Sequence, residues 1–320
     1  MFHAAIVPVA HTTPLRSGHV SYVMRRFELE SYLRTIQTHR ITELSLVPPL
    51  VIALIMSPLT KKYSMKSVRL ISCGAAPLSK EAQNKLKNDH CTPDCVFNQV
   101  WGMTETSCIA TMFPYTESDD TGSVGRPIPN LDIKLVDDQG RDITDYNVTG
   151  EICVRGPTVI PGYFENGGAN AQTFDGEGYL KTGDIGYCDE EAKKWYIVDR
   201  KKELIKVRGF QVAPPELEGV LLLHPQIVDA AVIGVKGVLG QLPEMECPRA
   251  YVVRRPGPEG AKVTAEEVKQ WCGKRLAKYK ELTGGVVFVD SIPKNASGKI
   301  LKRILRDMAK EEMKEAQAKL

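Results

Sequence analysis

The sequence lacks an apolar run long enough to cross a membrane. Its longest apolar stretch, Leu46 to Met56, contains Pro48 and Pro49, whereas a membrane helix needs about 20 consecutive apolar residues. The start of the chain also lacks the basic region, apolar block and small-residue cleavage site of a secretory signal. We therefore interpret residues 46–56 as a core segment, not as a membrane span.

An excess of charge of one sign is missing as well. The chain has 42 Lys and Arg against 39 Asp and Glu, a net charge of +3 over 320 residues. Nucleic-acid binding needs a concentrated basic face, which this balance does not indicate. The length predicts about two domains.

The eight cysteines show no metal-ligand spacing. Cys91 and Cys95 are the closest pair, with His90 beside them, and a zinc site would need two more ligands at suitable spacing. We predict reduced, unlinked cysteines in an intracellular protein.

Helical and strand patterns alternate over residues 27–87. Helix-type spacing near 27–36 precedes a strand at 41–47, Pro48 and Pro49 open a second helix, and a strand at 67–72 leads into a helix at 78–87. This alternation is typical of a layered α/β domain.

The pattern changes between residues 122 and 198. Short apolar strands at 133–136, 151–154 and 195–198 alternate with turn residues, which predicts a β-rich subdomain. Charged residues at 199–203 form a candidate hinge. Beyond it, helices at 214–223, 264–278 and 298–316 and strands at 228–234, 249–254 and 285–289 predict a small α+β unit. The predicted fold class is α/β with α+β: a large domain over 1–199 and a small, mobile C-terminal domain over 200–320.

Two segments of the large domain carry groups suited to a nucleotide. Ser72-Cys73-Gly74-Ala75-Ala76-Pro77 places small residues where a flat ring can approach the backbone. Gln99-Val100-Trp101-Gly102-Met103-Thr104-Glu105 offers an aromatic face, a hydroxyl for phosphate and a carboxylate for magnesium. Taken singly, a tight turn, a core tryptophan and a surface carboxylate explain these residues better.

Two further segments carry charge. Asp184, in Thr182-Gly183-Asp184, can accept hydrogen bonds from ribose hydroxyls, and Arg200 can clamp ribose or phosphate with its planar guanidinium; as a surface ion pair they would contribute little. Lys299, in the segment 293–300, stands on a glycine-containing turn at the head of a helix and can neutralise phosphate or carboxylate charge. This is not a Walker A loop, because Pro293 and Ile300 replace the required Gly and Ser/Thr.

Further motifs join these four segments in a fixed order. They are Gly125-Arg126-Pro127, Gly150-Glu151-Ile152, Gly162-Tyr163, Tyr179 to Asp184, Lys202-Glu203-Leu204-Ile205-Lys206 and Gly209 to Pro214. With them the chain resembles the adenylate-forming superfamily of acyl-CoA synthetases, luciferases and peptide-synthetase adenylation domains, most of all its 4-coumarate–CoA ligase branch. The resemblance implies that MgATP activates a carboxylic acid as acyl-AMP, the C-terminal domain rotates, and coenzyme A takes up the acyl group.

The resemblance also implies a role for each residue that matches a family motif. In the large domain, Gly74, Ala75 and Ala76 would line the adenine pocket, Gln99 and Gly102 would belong to the nucleotide site, Trp101 would cover the ring, Thr104 would bind the α-phosphate, Glu105 would hold magnesium and Asp184 would fix the ribose. In the small domain, Arg200 would also fix the ribose, Lys202 would be the hinge, Lys206 and Gln211 would act on AMP, Arg208 and Gly209 would border the coenzyme A channel, and Lys299 would be the adenylation lysine.

The sequence departs from the family pattern at two places. No Ser/Thr/Gly-rich loop ending in lysine, which would wrap the β- and γ-phosphates, is present, and Met1-Phe2-His3 resembles the segment just after that loop. We therefore expect missing phosphate donors, N-terminal strands and part of the acid pocket, with apolar sheet surface exposed. Residues 237–247 replace the usual acidic loop, which we expect to alter a surface loop only.

Three functional interpretations stay open. The leading one is a CoA ligase for an aryl or medium- to long-chain fatty acid, impaired by truncation. The second is adenylation with transfer to a carrier-protein thiol, although no carrier domain follows. The third is a non-catalytic fragment that binds nucleotide weakly or depends on a partner.

The last three residues carry a separate signal. Ala318-Lys319-Leu320 is a variant of the Ser-Lys-Leu tripeptide that peroxisomal import receptors read. A lysine-rich helix that stops there by chance is the alternative. We expect a peroxisomal location by this signal, and a cytoplasmic one otherwise.

Overall fold

The computed structural model describes residues 3–238, 245–295 and 298–318, with side chains in the last helix as far as Met313. The chain divides into two compact units, Met1–Val198 and Asp199–Leu320. The predicted boundary lay one residue further along. Both units mix helices with strands, so the predicted fold class, α/β with α+β, is confirmed.

A three-stranded parallel sheet organises the first part of unit 1. Its strands lie in the order β1 (Glu43–Leu46), β2 (Leu70–Cys73) and β3 (Val96–Gln99). Cys73 is paired with Leu46 on one side and with Gln99 on the other. The three strands therefore end at one common edge. The elements are α1 (Thr13–Ser17), α2 (Leu29–His39), β1 (Glu43–Leu46), α3 (Pro48–Met56), β2 (Leu70–Cys73), α4 (Lys80–His90) and β3 (Val96–Gln99), with a π-type turn at Val7–Thr12 and a 3-10 turn at Pro58–Lys61.

Capping explains where these helices begin. Helix α2 starts two residues later than its apolar spacing suggested, because Glu28 is extended and its carboxylate accepts from the N–H groups of Glu30 and Ser31. Ser79 caps α4 in the same way through the N–H of Ala82. Pro48 stands at the start of α3, where its missing N–H is not needed.

The core of this layer contrasts with residues 7–27. Leu33, Ile36, Ile71 and Phe97 are at most 1% exposed. The segment 7–27 instead carries exposed apolar side chains, namely Val7, Val9, Leu15, Val20, Tyr22, Val23 and Phe27. Exposed apolar surface, expected on the sheet, thus lies on this segment outside the strands.

The second part of unit 1 is the β-rich subdomain. Its five-stranded sheet has the order β10-β9-β8-β6-β7, and β6 is antiparallel to both β7 and β8. The elements are β4 (Thr111–Met112), β5 (Arg126–Pro127), β6 (Asp132–Val136), β7 (Asp142–Ile143), β8 (Gly150–Arg155), α5 (Gly167–Thr173), β9 (Leu180–Cys188) and β10 (Trp195–Arg200).

Unit 2 is built on the sheet β13-β14-β15, in which β14 is antiparallel to β13 and parallel to β15. A short hairpin, β11-β12, precedes it. The elements are β11 (Ile205–Val207), β12 (Phe210–Val212), α6 (Pro214–Leu222), β13 (Ile227–Val235), β14 (Cys247–Arg254), α7 (Pro258–Lys262), α8 (Ala265–Gly273), β15 (Gly285–Phe288) and α9 (Lys302–Ala318), with a 3-10 turn at Lys278–Lys280.

Two helix boundaries in unit 2 were predicted wrongly. Helix α8 ends at Gly273, not at 278, because glycine is a poor helix former even though apolar spacing continues through Leu276 and Tyr279. Helix α9 begins at Lys302, not at 298, because Lys294 and Ile300 pair as an antiparallel bridge. Most of the segment that replaces the acidic loop, residues 239–244, lies outside the described residues. Lys319 and Leu320 of the C-terminal tripeptide also lie outside them.

All eight cysteines are free thiols. Within residues 3–238, 245–295 and 298–318, no helix is long and apolar enough to span a bilayer.

Candidate functional site

The small-residue turn and the Trp101 segment meet at the common edge of the parallel sheet. The N–H of Val100 donates to the carbonyl of Cys73 at 2.9 Å. A Cβ on Gly74 would lie 2.8 Å from Cγ2 of Val100, so the close approach requires glycine. Ala75 then adopts a left-handed backbone with φ 75°. Gly74, the first residue of the turn at 74–76, therefore lies directly beside the segment that carries Trp101.

Gln99, the last residue of β3, is buried and serves the fold. Its Nε2 donates to the carbonyl of Leu78 at 3.0 Å and to Oε1 of Gln83 at 2.9 Å. Gln83 in turn donates to the carbonyls of Phe97 and Asp119 at 2.8 and 2.6 Å. This amide network ties α4 to the sheet, and a role of Gln99 towards nucleotide stays a prediction.

Trp101 and Asp184 are joined by a hydrogen bond. The indole Nε1 donates to Oδ2 of Asp184 at 2.8 Å, and both residues are buried, at 8% and 6% exposure. Thr182 supports the carboxylate's strand: its hydroxyl accepts from the N–H of Asp184 at 3.1 Å and donates to the carbonyl of Ile152 at 2.7 Å. The predicted adenine and ribose residues thus share one local structure, a connection that the sequence did not reveal.

The loop after Trp101 closes on itself and presents Thr104 and Glu105. A Cβ on Gly102 would lie 1.7 Å from the carbonyl oxygen of Cys108, so only glycine fits. The buried hydroxyl of Thr106 accepts from the N–H of Met103 at 3.1 Å. A 3-10 turn at Thr104–Thr106 results, with Thr104 exposed and Glu105 half-buried.

Glu105 is held by residues that sequence reasoning missed. The hydroxyl of Tyr163 donates to Oε1 of Glu105 at 2.8 Å, and this hydrogen bond to a carboxylate raises the pKa of Tyr163. The N–H of Ile160 donates to the carbonyl of Glu105 at 2.8 Å. The only sequence signal for Tyr163 was its place in the family motif Gly162-Tyr163.

The donor set at this loop fits one particular kind of metal. Magnesium prefers oxygen ligands, retains several waters and is commonly bound by one or two carboxylates together with substrate phosphates. Glu105 and the neighbouring hydroxyl of Thr104 match that description. Among the described residues, no group of three or more His, Cys, Asp or Glu could hold a metal ion by itself.

In unit 2, the β11-β12 hairpin carries four of the predicted residues. Lys206 and Gln211 are direct cross-strand partners on the exposed face, while Ile205, Val207 and Val212 on the other face are buried. Arg208 and Gly209 form the tip with φ values of 49° and 86°, as a two-residue turn of type I′ requires. The N–H of Lys206 donates to Oε2 of Glu246 at 2.8 Å.

Lys299 lies on a separate loop of unit 2. The N–H of Lys299 donates to Oδ1 of Asn295 at 2.9 Å, and the N–H of Asn295 donates back to the carbonyl of Lys299 at 3.0 Å. Lys294, beside this turn, forms an ion pair with Asp229 at 2.6 Å. Asn295 therefore fixes the backbone of Lys299, which is itself exposed.

The segment at 199–203 combines a buried charge with exposed ones. Asp199 is 6% exposed, and burial raises its pKa to about 6. Its Oδ1 accepts from the N–H of Arg200 at 2.7 Å, whereas its buried Oδ2 has no hydrogen-bond partner in the described part of the chain. Arg200 ends β10, and Lys202 follows in an exposed turn.

Two family models match the chain. The model of the AMP-binding enzyme matches residues 1–164, and that of the AMP-binding enzyme C-terminal domain matches residues 216–299.

Curated relatives align along nearly the whole chain. The acyl-CoA synthetase ACTT5 of Alternaria alternata is 56% identical over 316 residues, which cover 98% of this chain and 54% of the relative. The phenylacetyl-CoA ligase epaB of Aspergillus niger is 53% identical over 314 residues, covering 98% and 57%. The 4-coumarate–CoA ligase 2 of Oryza sativa subsp. japonica is 40% identical over 311 residues, covering 96% and 52%. The chain thus spans about half the length of the curated relatives it matches.

Solved structures agree with this relationship. The anthranilate CoA ligase AuaEII in complex with anthranoyl-AMP superposes with a TM-score of 0.84 at 26% identity, over 98% of this chain and 57% of that one. The o-succinylbenzoate CoA synthetase MenE of Bacillus subtilis in complex with AMP gives 0.77 at 30%, over 95% and 59%. On these matches, the chain belongs to the AMP-binding enzyme family and is related within it to acyl-CoA synthetases and 4-coumarate–CoA ligases.

Proposed function

We propose that the protein containing this chain is an ATP-dependent acid–CoA ligase. The observation that carries the proposal is the hydrogen bond between Trp101 and Asp184, which unites the candidate adenine and ribose residues beside the turn at 74–76. Relatives named acyl-CoA synthetase and phenylacetyl-CoA ligase, at 56% and 53% identity, support the same activity.

The first step forms an acyl-AMP. A carboxylate oxygen of the acid attacks the α-phosphorus of ATP, and the bond to the bridging oxygen breaks with release of pyrophosphate. Negative charge is carried by the oxygens of the α-phosphate and of the leaving pyrophosphate, and preorganised cationic and hydrogen-bonding groups stabilise it. We assign Thr104 to the α-phosphate, Asp184 and Arg200 to the ribose, and Lys299 to the reacting carboxylate and phosphate oxygens.

Magnesium, when bound, would offset phosphate charge and orient the phosphates. We assign Glu105 as its protein ligand, in line with the donor set described above.

The second step forms the thioester. The thiol of coenzyme A gives its proton to solvent, its sulfur attacks the acyl carbon, and the bond from that carbon to the phosphate oxygen breaks with release of AMP. We assign Arg208 and Gly209, at the tip of the β11-β12 hairpin, to the coenzyme A side, and Lys206 and Gln211 to AMP. Lys202 is our candidate for the hinge between the two steps, since exchanging the groups that face one cavity lets it serve two reactions.

The acid we propose is an aryl acid, with medium- and long-chain fatty acids as the alternative. Support comes from the names of relatives that act on phenylacetate and 4-coumarate. Transfer to a carrier-protein thiol is the second candidate for the acceptor, and the relatives named as CoA ligases favour coenzyme A.

A third candidate is a non-catalytic chain that binds nucleotide weakly or depends on a partner, because the 320 residues contain no Ser/Thr/Gly-rich loop ending in lysine. It predicts that the chain alone binds nucleotide weakly and becomes active when a polypeptide carrying the first half of a relative is added.

The test is thioester formation from ATP, magnesium, coenzyme A and a panel of aryl and fatty acids, read by mass spectrometry. Wild-type chain, Lys299→Ala and a surface control, Lys269→Ala, are compared with and without the added N-terminal half. We expect thioester that depends on Lys299 and not on Lys269. Well-folded chain that gives none in either setting would refute the ligase assignment.

A peroxisomal location is a separate proposal, supported only by Ala318-Lys319-Leu320. A fluorescent protein fused ahead of the chain should enter peroxisomes, and deletion of the three residues should return it to the cytosol. Cytosolic fluorescence of the undeleted fusion would refute this signal.

A further inference from the structure

The turn that carries Glu105 is bound to one neighbouring segment, residues 158–163. The hydroxyl of Ser107 donates to the carbonyl of Thr158 at 2.7 Å, and the N–H of Ile160 donates to the carbonyl of Glu105 at 2.8 Å. The first bond is made by the side chain of Ser107, directly after the turn, and the second fixes the backbone of Glu105 itself. The third connection, from the Tyr163 hydroxyl to Oε1 of Glu105 at 2.8 Å, reaches the carboxylate itself.

Tyr163 is itself fixed from the other side by Asn170 in α5. Oδ1 of Asn170 accepts from the N–H of Tyr163 at 2.7 Å, and Nδ2 of Asn170 donates to the carbonyl of Tyr163 at 3.0 Å. Gly162 allows this contact, because a Cβ there would lie 3.0 Å from Nδ2 of Asn170. A continuous chain of hydrogen bonds therefore leads from helix α5 through Tyr163 to one oxygen of Glu105.

We propose that Tyr163 is a positioning residue for magnesium binding by Glu105. The inference rests on the proposed function, in which Glu105 is the metal ligand. A free glutamate can swing between rotamers and between one-oxygen and two-oxygen binding. The phenol engages Oε1, so a cation meets Glu105 through Oε2, for which the structure shows no hydrogen bond within the described residues. Magnesium near phosphates suits such one-oxygen binding.

Partners that orient a metal ligand contribute measurably to metal affinity. Removing such a hydrogen bond typically weakens metal binding 10- to 100-fold. Tyr163 lies outside the set of residues that the family motifs assign to nucleotide, metal or coenzyme A, so its effect should appear only where magnesium takes part.

The experiment measures ATP affinity by titration calorimetry, once with saturating magnesium and once with a chelator. Four forms of the full chain are compared: wild type, Tyr163→Phe, Glu105→Gln and the control Tyr115→Phe, an exposed tyrosine whose hydroxyl has no hydrogen-bond partner among the described residues. We expect Tyr163→Phe to weaken ATP binding about 10-fold with magnesium and not at all with chelator. Tyr115→Phe should match the wild type in both settings.

The other outcomes separate the two claims. If Glu105→Gln abolishes the effect of magnesium while Tyr163→Phe keeps it, the positioning role is wrong and the metal site stands. Equal weakening by Tyr163→Phe with and without magnesium would mean a purely structural role and also overturn the inference. A wild type without magnesium dependence, or a Glu105→Gln variant that retains it, would remove Glu105 as the metal ligand.

Discussion

The indole N–H of Trp101 and the carboxylate of Asp184 meet at 2.8 Å although 83 residues separate them in sequence. A buried carboxylate needs such donors, because burial removes the water that would otherwise solvate its charge. Trp101 therefore has a polar function in the fold beyond the aromatic face that the sequence suggested. Both of its properties can be tested separately.

Replacing Trp101 with Phe keeps an aromatic ring and removes the donor. We expect the free energy of unfolding to fall by about 2 kcal/mol, since a hydrogen bond to a charged group is lost, and AMP binding to weaken because Asp184 loses its orientation. Urea unfolding and calorimetric AMP titration measure the two effects. The matched control is Trp271→Phe in unit 2, whose indole donates to the carbonyl of Val220. Unchanged AMP affinity in Trp101→Phe would contradict the positioning of Asp184.

The variant Gln99→Leu distinguishes a structural role of Gln99 from a role in nucleotide binding. The change leaves Oε1 of Gln83 and the carbonyl of Leu78 without the donor they have now. Buried acceptors left unpaired cost about 1–3 kcal/mol. We expect that loss in urea unfolding together with nearly wild-type AMP affinity. A large loss of affinity in a chain of unchanged stability would instead make Gln99 a nucleotide ligand.

Gly102→Ala should disrupt the loop that presents Thr104 and Glu105. The added Cβ would stand 1.7 Å from the carbonyl oxygen of Cys108, so the backbone must move, at about 3 kcal/mol of stability. The melting temperature should fall, and the affinity for ATP should decrease. Gly168→Ala is the control, because nothing lies within 4 Å of its Cβ position and alanine favours helix α5. Wild-type behaviour of Gly102→Ala would show that the loop adapts without cost.

The buried Asp199 should make the free energy of unfolding depend on pH. Burial raises its pKa from 3.8 to about 6, opposed by Lys302 and reinforced by Glu218 and Glu203. The folded chain therefore holds this proton more tightly than the unfolded chain, and the contribution to stability falls as pH rises from about 4 to about 6.

Asp199→Asn removes that penalty while keeping an oxygen for the N–H of Arg200. The stability gained over wild type should be greater at pH 8 than at pH 5, by about 1 kcal/mol. Urea unfolding at both pH values measures this, with the exposed Asp145→Asn as the control. An equal gain at the two pH values would mean that Asp199 does not titrate in this interval.

Local patterns made part of this structure predictable. The strand that ends at Cys73 and the small residues after it could be located from the sequence as a candidate nucleotide segment, because apolar strands and glycine turns are encoded within a few residues. Strand β9 escaped notice, since the polar run Lys181-Thr182-Gly183-Asp184 interrupts its apolar alternation. Its register and buried partners come from the neighbouring strands.

Long-range hydrogen bonds escaped prediction for a different reason. Tyr163 lies 58 residues from Glu105, and a single tyrosine gives no periodic signal of what its hydroxyl will contact. The same holds for Asp199, whose pKa responds to the charge of Lys302, more than 100 positions further on. Apolar spacing likewise carried the predicted helix α8 past Gly273, where intrinsic propensity ended it.

At the tip of the β11-β12 hairpin, a substitution that raises thermal stability would conflict with the proposed activity. Arg208 holds a left-handed backbone, φ 49°, which glycine or asparagine adopts more readily. A consensus of turn statistics would therefore replace Arg208 and raise the melting temperature slightly. It would also remove a guanidinium that we propose to lie beside coenzyme A. Variants chosen by melting temperature alone would therefore have lower turnover.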